Sequence, residues 1–241
     1  MPKQRRIRRG NDGLCVYCAE RIAETDDHIP PKNLFGKPRP SSLVTVPSCL
    51  RCNAGASLDD EYFRLMVALR HDVDHPDAAV ARDSAMRSLE RPQAGGLRAA
   101  FLSALGGVEL RSASDLYLGR AGAYNVDVKR LDRVARRITL GLFYKKTGRP
   151  LPRDYTAKAY LLSQIDPSAT DAIARLSGMV DALGAGGAPA FVGRRVLSYW
   201  WHSAVDDPNA SAWLLIFYER VSWVAITTPR ASSVNHPARR I

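Results

Sequence analysis

The sequence predicts an α+β protein, with a small metal-held module near the N-terminus, then helices, then a mixed α/β C-terminal region with an antiparallel sheet. Three observations support this prediction. All four cysteines lie in two Cys-x-x-Cys pairs between positions 15 and 52. The middle of the chain has apolar residues at helical spacing. Several segments after residue 195 are rich in aromatic and β-branched residues, which is typical of strands.

The composition changes along the 241 residues and predicts four parts. Residues 1–11 are basic with almost nothing apolar to bury, so we expect a flexible arm. Residues 12–75 form the metal-held module, because its first part has little periodicity and is rich in Cys, Pro, Gly and Asp. Residues 76–229 form an accessory α+β domain of unknown role, and residues 230–241 form a flexible basic tail.

The helical pattern is clearest over residues 128–144, where Leu131, Val134 and Ile138 make one apolar stripe and the basic residues lie mostly on other faces. Ser57, followed by acidic residues, resembles the start of a helix. The other helices are expected over residues 57–73, 76–89, 97–105 and 167–183.

The strand pattern predicts one or two short strands in residues 108–118 and another strand over residues 155–162. Three further strands are expected over residues 195–205, 212–218 and 222–228, and Glu219-Arg220 would form a tight hairpin turn. The tryptophans of this region are expected in the core of a sheet, because a stacking platform for bases needs exposed rings.

The charge balance favours a polyanionic partner. Lys and Arg number 35 against 24 Asp and Glu, a formal charge of +11. Nucleic acid is the expected partner, and a basic but inert surface is the alternative. No stretch approaches the 18 or so apolar residues of a membrane span, and no signal peptide is recognisable, so we expect a soluble cytoplasmic protein without a membrane partner.

The cysteine spacing predicts a structural zinc site. Cys15 and Cys18, and then Cys49 and Cys52, form a C-x2-C-x30-C-x2-C pattern in which each pair makes a small knuckle. Four thiolates suit tetrahedral Zn²⁺ and close its coordination shell, so this ion would hold the fold rather than catalyse. A redox pair is the rival interpretation of a single Cys-x-x-Cys motif, but two pairs with no further cysteine favour metal.

The segment between and after the knuckles resembles the HNH endonuclease family, whose ββα-metal fold places an Asp-His on a β-hairpin and a His or Asn on the following helix. The likeness covers residues 14–63. It is carried by the cysteine pairs, Asp27-His28-Ile29, Pro31 and the run Cys49-Leu50-Arg51-Cys52-Asn53.

The resemblance implies a catalytic set of His28, Asp27 and Asn53. His28 would act as the general base, since a neutral imidazole can take a proton from water near pH 7. Asp27 and Asn53 would hold a catalytic Mg²⁺ or Mn²⁺ through their oxygens. Asp26 is the alternative carboxylate ligand, although the family pattern places the carboxylate directly before the His.

Two positions depart from the family pattern. The family usually has a bracing Asn in the second strand, where this chain has Val44-Thr45-Val46, so Thr45 is the candidate substitute. The Lys that often follows the Cys-Asn pair is absent, so contact with nucleic-acid phosphates is assigned to Lys32, Lys37 or Arg51.

The chain therefore has two candidate functions. The first is a metal-dependent HNH endonuclease acting on DNA, of the kind associated with antiphage defence. The second is a non-cleaving zinc-dependent DNA-binding or scaffold protein with an HNH-like frame. The C-terminal region is a candidate for a protein partner or for homo-oligomer formation. The other histidines have no ligand-like context: His71, His75, His202 and His236.

Overall fold

The computed structural model describes residues 13–41, 43–70, 72–112, 114–165, 168 and 170–230. Residues 1–11, His71, His236 and all but the first residue of the expected tail lie outside that set. The described elements, in chain order, are β1 (Thr25–Ile29), β2 (Val44–Ser48), α1 (Leu50–Ala54), α2 (Ser57–Ala68), α3 (Pro76–Leu89), α4 (Gly95–Ala104), β3 (Leu105–Arg111), β4 (Tyr117–Tyr124), α5 (Val128–Thr147), β5 (Tyr155–Leu161), α6 (Thr170–Ala185), β6 (Ala190–Val192), β7 (Leu197–Ser203), β8 (Ser211–Phe217) and β9 (Val221–Pro229).

The strands form three antiparallel sheets, which confirms the α+β prediction. Strands β1 and β2 make one hairpin and β3 and β4 another, while five strands pair in the order β5-β9-β8-β7-β6. All pairs in the large sheet are antiparallel. The predicted C-terminal sheet is therefore present, and the four-cysteine cluster lies near the N-terminus as expected.

The connection between β8 and β9 includes the predicted turn residues Glu219-Arg220, but it is three residues long, because β8 ends at Phe217 and Tyr218 belongs to the turn. The strands pair with Phe217 opposite Val221, and Tyr218 and Glu219 both have positive φ in the connecting turn. The Tyr218 hydroxyl then donates a 2.8 Å hydrogen bond to the carbonyl of Leu34. The turn of the C-terminal sheet is thereby fastened to the N-terminal module.

Helix α5 crosses the middle of the molecule and joins the module to the sheet. Asp127 caps its first turn by accepting a hydrogen bond from the amide of Arg130, and Gly148 ends it with φ of 75°. Its apolar stripe is buried as predicted, and the helix packs against both β5 and β2. At Gly141 the fit against β1 is so close that a Cβ would overlap the side chain of Ile29.

One apolar core runs through most of the described chain. It includes Ile29 and Val46 of the first hairpin, Phe63 of α2, and Trp223 of the large sheet. The ring centroids of Phe63 and Trp223 are 5.3 Å apart. Trp213 and Trp223 are fully buried, which agrees with the expectation that the tryptophans of these strands form a core. Residues on both sides of the predicted boundary at residue 75, between the metal-held module and the accessory domain, therefore share one core. The boundary itself stays a prediction.

Several helix boundaries differ from the sequence prediction. Helix α2 ends at Ala68 rather than at residue 73, because Asp72 and Asp74 favour turns and Pro76 disfavours helix in the residue before it. His75 instead caps α3, its Nδ1 accepting a hydrogen bond from the amide of Asp77. The five-residue helix α1 was not predicted, since it is too short for a periodic signal. Among the described residues, no helix is both long and apolar enough to cross a membrane.

Candidate metal centre and active site

The four cysteines meet in one cluster between the first hairpin and α1. Their Sγ atoms all lie within 4.8 Å of one another, and none forms a disulfide. The amide of Val16 donates to the carbonyl of Pro47, which joins the first knuckle to β2. Cys49 is the N-cap residue of α1, so the second knuckle leads directly into that helix.

This cluster fits structural zinc by geometry and by charge. With Zn–S bonds of about 2.3 Å, the edges of a tetrahedron of sulfurs are about 3.8 Å, within the observed limit. Burial raises the pKa of Cys15 and also that of Cys52, so crowded thiolates are costly without a cation. Burial opposes ionisation of Cys49 as well, but its hydrogen bonds, first with Cys52, lower the pKa of Cys49 to about 7. A bound Zn²⁺ would compensate all four charges.

His28 lies on β1, directly opposite Thr45 of β2. Its imidazole is half-buried, and its pKa is lowered, first by this burial and then by the positive charge of Lys32, with Arg39 acting in the same direction. Arg39 also donates from Nε to the carbonyl of Lys32 at 3.2 Å, so the two basic residues lie side by side. Burial and the two nearby cations therefore favour the neutral form of the His28 imidazole.

Asn53 connects helix α1 to the strand that carries His28. Its Nδ2 donates to Thr25 Oγ1 at 2.9 Å and approaches the carbonyl oxygen of Asp26 at 3.5 Å. The structure thus brings the predicted helix residue to the predicted strand. The amide nitrogen of Asn53 is the atom engaged there.

Asp27 points away from His28, because successive side chains of a strand alternate between its two faces. Its Oδ2 accepts hydrogen bonds from the Tyr17 hydroxyl at 2.6 Å and from Arg137 Nη2 at 2.5 Å. Its Oδ1 accepts the amide of His28 at 2.8 Å. Asp26 is exposed and lies on the same strand face as His28, so it remains the alternative carboxylate.

The predicted site for a divalent ion at Asp27 and Asn53 does not fit this arrangement. Both oxygens of Asp27 already accept hydrogen bonds from protein donors, and Asn53 directs a donor nitrogen towards β1. In the described part of the chain, the four cysteines are the sole group of three or more His, Cys, Asp or Glu side chains close enough to hold a metal.

Arg137 stands at the centre of a buried charged cluster. Its guanidinium lies 4.5 Å from the centroid of the Tyr17 ring and 3.6 Å from Asp60 Oδ1, in addition to its contact with Asp27. Burial raises the pKa of Asp60 to about 6, with Arg137 opposing the shift and Asp27 adding to it. The two aspartates therefore share one arginine.

Sequence reasoning missed four residues of this site: Tyr17, Arg39, Asp60 and Arg137. One signal was available for Arg137, which follows Val134 by three positions and so lies near the apolar stripe of α5. A basic residue on the buried side of a helix indicates a buried partner. Its partner on β1 is 110 positions away and has no local signature.

The three basic residues predicted to contact phosphate are all exposed. Lys32 is the one among them whose charge is a main influence on the pKa of His28. Lys37 lies in the loop between β1 and β2, and Arg51 lies on α1. The histidines without a ligand-like context were expected to be structural or exposed, and of these His75 is buried as the cap of α3 and His202 is exposed on β7.

Comparisons with protein-family models, with curated proteins and with solved structures match nothing to this chain. The likeness to HNH endonucleases therefore rests on the residues of the hairpin, the knuckles and α1.

Proposed function

We propose that this protein is an HNH-type nuclease that hydrolyses phosphodiester bonds, with DNA as its substrate. The observation that carries the proposal is the pairing of Asn53 on α1 with Thr25 on β1, which joins the helix to the hairpin strand that also carries His28. A hairpin followed by a helix, bounded by two cysteine knuckles, is the arrangement that the sequence resemblance implies.

His28 is the general base of the proposed reaction. Its lowered pKa keeps the imidazole neutral near pH 7, so it can accept a proton from an attacking water. The water oxygen forms a bond to phosphorus and the water proton passes to His28. The bond between phosphorus and the leaving oxygen breaks with its electron pair on that oxygen, which then takes a proton from solvent. A neutral base beside two cations is suited to this step.

Lys32 and Arg39 supply the positive charge that the phosphate requires. Both are exposed, and Arg39 uses its Nε for the carbonyl of Lys32, which leaves its two terminal nitrogens able to contact an anion. Charge on the non-bridging oxygens increases in the transition state, so fixed cations there lower the barrier. The overall charge of +11 favours nucleic acid as the source of the phosphate.

The proposal includes a catalytic Mg²⁺ or Mn²⁺ only because the sequence resembles HNH endonucleases. Such an ion stabilises the developing negative charge of a phosphate when it is bound. Because Asp27 is held by Arg137 and Tyr17, the steps above are assigned only to His28, Lys32 and Arg39.

The second candidate function is a zinc-dependent DNA-binding or scaffold protein that does not cleave. The observation that favours it is the engagement of Asp27 by Arg137, which makes this carboxylate part of the fold. Both candidates share the zinc frame and the basic surface.

Cleavage and binding, measured on the same preparation, distinguish the two functions. Zinc-loaded protein is incubated with supercoiled plasmid, single-stranded DNA and RNA, each with Mg²⁺, with Mn²⁺ and with EDTA, while fluorescence anisotropy follows binding to labelled oligonucleotides. The nuclease proposal expects nicking or cutting of DNA with a divalent ion. Salt-sensitive binding without cleavage of any substrate would support the binding protein instead.

A further inference from the structure

A second basic site lies beside the first zinc knuckle, outside the group around His28. A cavity of about 240 Å³ opens between this knuckle, helix α5 and strand β5. Among the described residues, three arginines line it: Arg136, Arg153 and Arg230. Of the carboxylates in the part of the chain that the structure describes, Glu20 lies at the same cavity, and it is 3.9 Å from Arg153.

Arg136 and Arg230 are both held in place by backbone carbonyls of β5. Arg136 donates from Nε to the carbonyl of Ala157 at 3.0 Å, and Arg230 donates from Nε to that of Tyr155 at 3.1 Å. Among residues 13–230 that are described, no carboxylate forms an ion pair with either guanidinium. Each keeps the terminal nitrogens that make a fork for an oxyanion.

The two guanidiniums also repel each other. Burial lowers the pKa of Arg136, the charge of Arg230 lowers it further, and the negative charge of Cys52 acts in the opposite direction as the smallest of the three effects. The fold therefore holds two like charges close together at a cavity. An anion between them would relieve the repulsion and replace the lost solvation.

We propose that this arginine pocket binds a phosphate group, and that the phosphate belongs to the backbone of a bound nucleic acid. The identity of the source rests on the proposed function, whereas the pocket rests on its own residues. A guanidinium that uses Nε for the protein still has two terminal nitrogens with which to donate hydrogen bonds to the oxygens of a tetrahedral oxyanion. The pocket would contact a phosphate of the bound nucleic acid in addition to the phosphate at His28.

The test compares three variants of the zinc-loaded full chain: Arg230→Gln, Arg136→Gln and Arg220→Gln. Arg220 is an exposed arginine in the turn between β8 and β9, away from the cavity, so its loss controls for net charge. Binding to a labelled DNA oligonucleotide is measured by anisotropy between 50 and 200 mM salt, without divalent ions so that no cleavage occurs. Titration with inorganic phosphate is followed by calorimetry.

Loss of one phosphate contact should weaken DNA binding roughly five- to tenfold at about 0.1 M salt and reduce the slope of log K against log salt by about one. We expect this for Arg230→Gln and Arg136→Gln and not for Arg220→Gln. If Arg136→Gln loses its fold by circular dichroism, the exposed Arg230→Gln decides alone. Equal losses in all three variants would overturn the pocket, and so would an Arg230→Gln variant that binds both DNA and inorganic phosphate like wild type.

Comparing the binding of DNA with that of inorganic phosphate identifies the source of the phosphate. Binding of inorganic phosphate that is lost in Arg230→Gln, with unchanged DNA binding, would keep the pocket and overturn the nucleic-acid backbone as its source. Failure of the nuclease proposal is separate, because it concerns cleavage and His28, which these binding measurements do not involve.

Discussion

Arg137 of helix α5 donates a hydrogen bond from Nη2 to Oδ2 of Asp27 on strand β1, across 110 positions of sequence. Both side chains are about 15% exposed. The contact fixes the face of the first hairpin that is opposite to His28, and it ties the hairpin to the helix that also packs on the large sheet. The position of His28 therefore depends on a residue of the accessory region.

We predict that Arg137→Met destabilises the protein by about 3 kcal/mol, because removing one partner of a buried ion pair leaves the other charge uncompensated. Urea unfolding followed by circular dichroism measures the change. Asp27→Asn alone should cost less, since the amide oxygen still accepts from Arg137 and Tyr17. In the double variant the two losses should not add, and additive losses would show that the contact contributes nothing.

We predict one zinc ion per chain, bound by the four cysteines. Structural zinc supplies about 10–16 kcal/mol of binding free energy in zinc-finger peptides, so its loss should unfold the hairpin of β1 and β2. Elemental analysis should find near-stoichiometric zinc in wild type and little in Cys49→Ser. Excess EDTA at elevated temperature should lower the unfolding temperature, and added Zn²⁺ should restore it. Wild-type protein purified without zinc would contradict the assignment.

The pH dependence of cleavage should report the neighbours of His28. A general base acts when neutral, that is, above its pKa, and burial with Lys32 and Arg39 lowers the pKa of His28. The acidic limb of the kcat/KM profile should therefore lie below the ordinary histidine value of about 6.5. Removing the charge in Arg39→Gln should raise the pKa and move that limb to higher pH. If Arg39→Gln leaves the acidic limb unchanged, the limb does not report the ionisation of His28.

Two glycine substitutions in helices should have opposite effects on stability. Replacing Gly by Ala inside a helix normally stabilises by about 0.5–1 kcal/mol. Gly178→Ala in α6 should follow this rule, because a Cβ there meets nothing within 4 Å. Gly141→Ala in α5 should destabilise by about 1–3 kcal/mol, because its Cβ overlaps Ile29 and β1 must move away. Thermal unfolding of both variants measures the contrast, and a stabilised Gly141→Ala would show that the hairpin is not packed closely on α5.

The parts of the fold that sequence predicted well are those with local signals. The stripe of Leu131, Val134 and Ile138 predicted α5, and the strands around Trp213 and Trp223 gave the hairpin with its turn at Glu219. The cysteine spacing predicted a cluster because two knuckles need only a few residues each. Helix α1 was missed because five residues carry no period.

The contacts that sequence could not predict are those between distant segments. No residue near Asp27 in sequence indicates that Arg137 and Tyr17 both donate hydrogen bonds to its Oδ2. Asp27 was therefore assigned to a metal from the family pattern alone. Arg39 was missed because its proximity to His28 depends on how the loop after β1 folds back onto Lys32. Such placement comes from tertiary packing, which no local pattern records.

The central claim is that His28 is the base of a phosphodiester hydrolysis, and its most direct test is the cleavage rate of His28→Ala under single-turnover conditions. The matched control is His202→Ala, which removes an exposed histidine on β7 outside the site. We predict that His28→Ala loses about 100-fold or more of the rate while it retains zinc, its circular dichroism spectrum and its affinity for DNA, whereas His202→Ala cleaves like wild type. Equal cleavage rates for wild type and His28→Ala would contradict the account.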